Sequence, residues 1–209
     1  CNNAIGLLLM RKGQFAAAEK YFRTAVDTLT ERNPNPYDGE PYYNLGWSCK
    51  MQGKMDEAYD AFFKSAWNAA WQDAAYYALA QIDTARGKYE SALDKVERSL
   101  IRNWHNHKAR QLKASILRKL NRKEEALELI RESLKIDRFN MGCRFESYLI
   151  HTLQGNTEAA AAAKAEMKAL MRGAVHSYLE YAIDYASAGM YEDCLLYTSP
   201  SPRDRTRSR

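Results

Sequence analysis

Small, aromatic and branched residues return along this chain at a fixed interval. Tyr42-x2-Leu45-Gly46 is followed by Gly53 and then by Ala58-x3-Phe62. The same order comes back as Tyr76, Leu79, Ala80, then Gly87, then Ala92-x3-Val96. A plainer round holds Ala114, Leu117, Asn121, Ala126 and Ile130, and the next keeps Gly155 and Ala160 but sets Tyr148 where the others have a small residue. The last begins Tyr178-x2-Tyr181-Ala182-x2-Tyr185 and runs to Gly189 and Tyr191. An earlier round precedes them all, with Ile5-Gly6, Leu9, Gly13 and Ala18-x3-Phe22. Gly53, Gly87, Asn121, Gly155 and Gly189 stand 34 residues apart, whereas Gly13 lies 40 before Gly53, so the six residues 33–38 are an insertion.

This spacing predicts pairs of short helices joined by tight turns. Glycine suits a left-handed helix terminus, and asparagine is the next-best residue for it. Gly6, Gly46, Ala80, Ala114 and Ala182, met by Ala18, Ala58, Ala92, Ala126 and Ala160, let the two helices of a pair approach closely. Tyr42, Phe62, Tyr76 and Ile130 fill what remains. A helix of about 13 residues, roughly 20 Å long, is unstable alone in water, so stacking of one pair on the next must hold it.

The pattern resembles the tetratricopeptide repeat, whose aromatic-x2-Leu-Gly-x2-Tyr and Ala-x3-Phe signature has this period. RNA-reading pentatricopeptide repeats have a period near 35, but the Gly/Ala pattern points away from them. The resemblance implies an all-α, right-handed superhelical solenoid of helix-turn-helix hairpins. Its units would be 1–32 (short at its start), the insertion 33–38, then 39–72, 73–106, 107–140, 141–174 and a partial unit 175–194.

The ends change the reading of charge. The chain opens at Cys1 without an initiator methionine, and the expectation is a fragment whose true start is missing. From about residue 195 the sequence turns abruptly to Leu-Leu-Tyr-Thr-Ser-Pro-Ser-Pro-Arg, which reads as helix-incompatible. It resembles a translated sequencing-adapter read of the kind found in metagenome-derived reading frames. Residues 195–209 are therefore expected to be a disordered, artefactual tail. The formal net charge is +5, but residues 196–209 carry four Arg and one Asp, so the rest of the chain holds only +2. That leaves no electrostatic case for nucleic acid or an anionic membrane. Cys1, Cys49, Cys143 and Cys194 form no disulfide framework and no C-x-x-C pair, which agrees with buried thiols in a reducing, cytoplasmic setting.

No Gly-rich phosphate loop, H-E-x-x-H or G-x-S-x-G is present, so no catalytic residue, cofactor or metal is expected. His105 and His107 lack further ligands at metal spacing and read as an inter-helix turn capped by Asn106. Asp83 is expected to pair with Arg86, and Arg118, Lys119, Arg122 and Lys123 to form a solvated hairpin end.

In tetratricopeptide stacks the first helix of each hairpin lines a concave groove. Carried onto this chain, the groove positions are Tyr43, Asn44, Trp47, Lys50, Tyr77, Gln81, Lys108, Gln111 and Arg118, with Phe145, Leu149, His176 and Ile183 further along. Rings beside amides and cations suit a peptide, rings giving energy and polar groups register. Repeats that clamp a carboxy-terminal carboxylate need Lys, Asn and Arg where this chain has Tyr43, Trp47 and Leu112, so that function is not expected.

The stretch from Asp38 to Glu146, above all Trp67-Asn68-Ala69-Ala70-Trp71, is also similar to the C-terminal repeat region of bacterial proteins that begin with "domain of unknown function 5107". In those proteins the N-terminal part looks like a β-sandwich related to sugar-binding folds. That resemblance implies the helical arm of a larger, carbohydrate-active protein. The leading expectation is a non-catalytic scaffold that binds a protein or peptide segment, or docks a domain of its own chain.

Overall fold

The structure, a computed structural model, describes residues 1–35 and 37–198, the last three by their backbone alone. Twelve helices run in order among the described residues: α1 Asn2–Arg11, α2 Phe15–Thr30, α3 Glu40–Met51, α4 Met55–Ser65, α5 Gln72–Ala85, α6 Tyr89–Arg102, α7 His107–Lys119, α8 Lys123–Ile136, α9 Met141–Leu153, α10 Thr157–Met171, α11 Val175–Ser187 and α12 Tyr191–Thr198. Consecutive helices pair as antiparallel hairpins, and through α9–α10 each hairpin stacks on the one before. The tail reading for residues 199–209, and Pro36 of the insertion, lie outside the described residues.

Each hairpin turn has the geometry its residue was expected to supply. Gly53 adopts φ +77° and Asn121 φ +61°, and Gly13, Gly87, Gly155 and Gly189 match them. At Gly53 the backbone closes as a Schellman motif: Gly53 N–H donates to Lys50 O and Lys54 N–H to Cys49 O, both at 3.0 Å.

Within a hairpin, the residue at position i of the first helix faces position i+16 of the second, and their sizes compensate. A Cβ added to Gly46 would lie 2.7 Å from the Phe62 ring, and one added to Gly6 would lie 2.4 Å from Phe22. Ala80 and Val96 are fully buried, as is Ala114, with Ile130 2% exposed. Tyr148 breaks the run of small residues, and there the opposite position is Lys164, whose Nζ lies 5.6 Å from the tyrosine ring. A bulky first-helix residue is matched by a side chain that can leave the interface.

Two later hairpins replace the opening aromatic of Tyr42 and Tyr76 with arginine. Arg110 is fully buried, donates from Nε to Trp104 O at 2.8 Å and lies 4.0 Å from the Trp104 ring. Arg144 repeats the contact one period later, donating from Nε to Arg138 O at 2.9 Å. Both satisfy carbonyls of the inter-hairpin junction. The same junctions start α7 and α9 with capping asparagines: Asn106 accepts from Ala109 N–H and Asn140 from Cys143 N–H, each at 3.0 Å.

The junction before α11 lacks this chemistry. Met171-Arg172-Gly173-Ala174 stands in register with Asn103–Asn106 and Asp137–Asn140, and Ala174 makes no side-chain cap. Arg172 and Gly173 both adopt left-handed backbone, φ +51° and +71°. The chain is turned inward here. Instead of lying flat on α9 and α10, α11 sends its C-terminal half across the concave face, and Gly189 approaches Ala85 so closely that a Cβ would stand 2.8 Å from its Cα. One expectation is corrected at this end: Leu195 to Thr198 belong to α12 rather than to a helix-incompatible tail.

Gly46→Ala is expected to destabilise the protein by about 1–3 kcal/mol through overpacking against Phe62, whereas Ala114→Gly should cost only about 1 kcal/mol, the helix-propensity term with little repacking. Urea unfolding followed by circular dichroism checks both; equal effects would overturn the i to i+16 account.

Candidate protein-binding face

The first helices of the hairpins meet one another along the stack, α1 with α3, α5 with α7 and α7 with α9, and the expected groove residues they carry divide into two groups. In the first, Tyr43 lies half-buried among Trp71 (ring centroids 5.0 Å), Phe62 (5.6 Å) and Trp47 (6.3 Å). Tyr43 therefore packs on Trp47 and Phe62 of its own hairpin and on Trp71, the wedge between units; Trp67 stays 57% exposed beside Phe63. Trp47 is half-buried, with Lys50 Nζ 4.8 Å from its ring. Lys50 also donates to Gln81 Oε1 at 2.7 Å, while Asn44 donates to Asn3 Oδ1 at 2.9 Å. Burial drags the Lys50 ammonium down to about 8. Trp47, Lys50 and Gln81 thus form one amphipathic patch spanning two hairpins.

In the second group the expected residues already hold part of their own chain. Lys108 Nζ binds Asp184 of α11 at 2.9 Å. Tyr77, Gln111 and Ser115 line a narrow space closed by Asp184, Tyr185 and Ala188. Burial, reinforced by Asp184, raises the Tyr77 phenol well above its usual value. Arg118 is not part of a solvated hairpin end. It is buried, with Nε 2.6 Å from Glu146 and NH2 3.0 Å from Asp193 of α12. Lys119 reaches the same Asp193 at 3.0 Å, while Arg122 pairs locally with Glu125.

Glu146 is the centre of this group and is fully buried. Its carboxylate accepts from Ser115 Oγ at 2.8 Å and from Tyr185 Oη at 2.6 Å as well as from Arg118. Burial lifts the Tyr185 phenol well above its ordinary value. Glu146, Asp184, Tyr185 and Asp193 escaped the groove positions assigned from sequence. One signal was present: Asp184 stands in register with Ile82, Ile116 and Ile150, all buried. An acid at a core position says that its helix cannot sit as the others do.

Elsewhere the polar pairings are structural. Asp83 binds Lys95 at 2.8 Å, and Arg86 binds Asp56 at 2.6 Å, so the expected Asp83–Arg86 pair is not formed; the longer reach to neighbouring helices satisfies both better. His107 faces Asp137 at 3.9 Å. Glu19, Cys49 and Glu57 place ligand-type atoms within 4.8 Å of one another. The Glu19 carboxylate is already taken by Arg23 and Lys54, each at 2.7 Å, and by Gln52 at 2.8 Å. Burial alone would raise its pKa, but these three donors outweigh it and bring it down to about 2. Among the described residues Cys49 and Cys143 are buried free thiols, Cys143 pushed up to about 12 by burial, while Cys1 is exposed.

The family pattern described as Tetratricopeptide repeat matches residues 3–75 and 77–140. The chain belongs to the tetratricopeptide repeat family. Among solved structures, a tetratricopeptide repeat protein from Parabacteroides merdae ATCC 43184 is similar over 100% of this chain and 79% of its own, with TM-score 0.75 and 19% identity. MamA 41-end from Desulfovibrio magneticus RS-1 is similar over 82% of this chain and 93% of its own, with TM-score 0.70 and 18% identity. Another MamA structure has TM-score 0.68 and 18% identity over 78% and 92% of the two chains. At such identities the likeness is one of fold. Repeat proteins of this family are in general non-catalytic scaffolds for protein association. Among the described residues no helix is long and apolar enough to cross a membrane.

Two outcomes follow from the buried charges. Arg118→Ala should cost about 3–5 kcal/mol in urea unfolding, because Glu146 is left buried without its cation, and Arg118→Ala with Glu146→Leu should recover much of it. Glu19 is depressed in the folded state, so its contribution is present above pH 4.5 and lost as pH falls toward about 2. With Arg23 and Lys54 partly in water, the loss is on the order of 1–2 kcal/mol. A urea titration at several pH values should show a flatter acid limb in Glu19→Gln.

Proposed function

We propose that this tetratricopeptide scaffold is non-catalytic and works by holding a helical protein segment in its concave face. The partner is a peptide or protein segment, or another domain of its own chain, and no cofactor takes part. The observation that carries this reading is the seating of α11 in that face: Asp184 on Lys108 and Tyr185 on Glu146 are the polar contacts a bound helix would make. Trp47, Lys50 and Gln81 extend the same face beyond the reach of those two contacts. An indole with a cation and an amide beside it offers apolar area together with a group that reads an acidic side chain.

A second reading draws on the exposed rings beside the insertion. Tyr37 is 86% exposed, Trp67 57% and Phe63 46%, and Trp67 helps line a recess of about 310 Å³. Phe63 and Trp67 fall in the stretch similar to the repeat region of "domain of unknown function 5107" proteins, which supports a role as the helical arm that docks a carbohydrate-active domain. The gene upstream of Cys1 tests it: a β-rich domain supports the arm, and further repeats alone would count against it.

A library of acidic helical peptides screened against the protein should yield binders whose affinity falls about ten-fold in Lys50→Ala and in Trp47→Ala, with helicity kept. Because the Lys50 amine loses its charge near pH 8, that binding should weaken as pH rises through about 8. Binders indifferent to both substitutions would sink the concave-face assignment.

A further inference from the structure

We propose that the α11–α12 hairpin is a resident, displaceable ligand of the concave face, and that the partner replacing it is a helical segment carrying carboxylates and a tyrosine in the same arrangement. The inference rests on the concave face being the binding surface, and adds what the face selects and how it is kept closed.

Asp184 supplies the first argument. Its register position is buried isoleucine in three preceding hairpins, Ile82, Ile116 and Ile150. A hairpin stacked like those would drive a carboxylate into their core row, at the cost of an unpaired buried charge. Moved into the groove, Asp184 meets Lys108. The second argument is the charge pattern of α7. Lys108, Arg118 and Lys119 sit at the two ends of that helix, about 15 Å apart along its axis. The hairpin answers each end with an acid, Asp184 at one and Asp193 at the other. Glu146 balances Arg118 from the scaffold side. Without the hairpin, Lys108 and Lys119 lose the only ion pairs they make among the described residues. The emptied face would be an aromatic-floored surface with two unbalanced cations, complementary to an acidic helix.

The third argument concerns how firmly the hairpin is held. Its junction has neither the capping asparagine nor the carbonyl-binding arginine that anchor α7 and α9, and it turns on the left-handed pair Arg172–Gly173. Its own surface stays apolar in places, with Leu179 48% and Ile183 63% exposed. The hairpin is held by the ion pairs, by Tyr185 on Glu146 and by burial of Tyr178, Ala188 and Met190 in the scaffold core, contacts that an incoming segment of the same chemistry can duplicate. While the hairpin is seated, an external ligand's apparent affinity is reduced by the fraction of molecules that are open.

The test uses the full chain and a fluorescent peptide copying residues 175–195. Asp184→Lys with Asp193→Lys sets cations against Lys108, Arg118 and Lys119 and should release the hairpin. Fluorescence anisotropy is expected to show the peptide binding the double variant at least about ten-fold more tightly than the unaltered protein. A helical, cooperatively melting variant that binds no better overturns the proposal. If the variant does not fold, hydrogen exchange on the unaltered protein decides: α11 and α12 should exchange together, at least about ten-fold faster than α7 and α9, and equal protection overturns the proposal. Lys50 and Trp47 lie outside the ion pairs tested here. A missing gain thus removes the resident-ligand proposal alone, whereas library binders indifferent to both Lys50→Ala and Trp47→Ala remove the broader reading.

Discussion

The fold depends on how closely two helices of one hairpin can approach, and that approach is set by the pair of positions sixteen residues apart. A ring on the second helix needs the absence of a side chain on the first, as Phe22 needs Gly6 and Phe62 needs Gly46. When the ring shrinks to Val96 or Ile130, the partner grows to Ala80 or Ala114. The total volume stays nearly constant, so the hairpins keep similar shape and stack with similar offset. Burial of each ring against the next unit is worth about 1.5–3 kcal/mol, more than a short helix can obtain from its own hydrogen bonds. Tyr148 with Lys164 shows the limit of the device: the volume is kept only because the lysine lies across the ring and out.

On top of this apolar frame, buried polar groups decide where each hairpin sits relative to the last. Arg110 and Arg144 close the junction carbonyls, and Asn106 and Asn140 start the following helices. Between hairpins the links run through Lys50 to Gln81, and through Ser115 and Arg118 to Glu146. These contacts contribute direction more than net stability, since a paired buried charge roughly offsets its own desolvation. Where they stop, at residues 171–174, the stacking direction stops as well. The turning of α11 and α12 out of the stack therefore goes with the loss of that junction chemistry.

Much of the fold was legible because it is one-dimensional. The turn residues Gly53, Gly87, Asn121, Gly155 and Gly189 need left-handed backbone, and a single sequence shows them at their interval. The candidate face was legible only as positions. Tyr43, Asn44, Trp47, Lys50, Tyr77, Gln81, Lys108, Gln111 and Arg118 lie on first helices, but which of them meet a neighbouring unit is a matter of three-dimensional offset. Asn44 and Gln81 are buried in inter-hairpin contacts, and Arg118 belongs to a closed ionic group. Asp184 was the visible exception, a charge in an isoleucine row, and its meaning emerges only beside Lys108.

By itself the sequence determined the hairpin, its turns, its period and the insertion at 33–38, because those follow from backbone conformation and residue size at short range. The tertiary structure alone decided that α11 and α12 leave the stack and enter the concave face. The period runs unbroken to Gly189, so the repeat spacing alone does not announce the departure, although Ala174 and Asp184 mark it locally. The difference is made by charges 76 residues apart, Lys108 and Asp184, and by the cost of burying the second without the first.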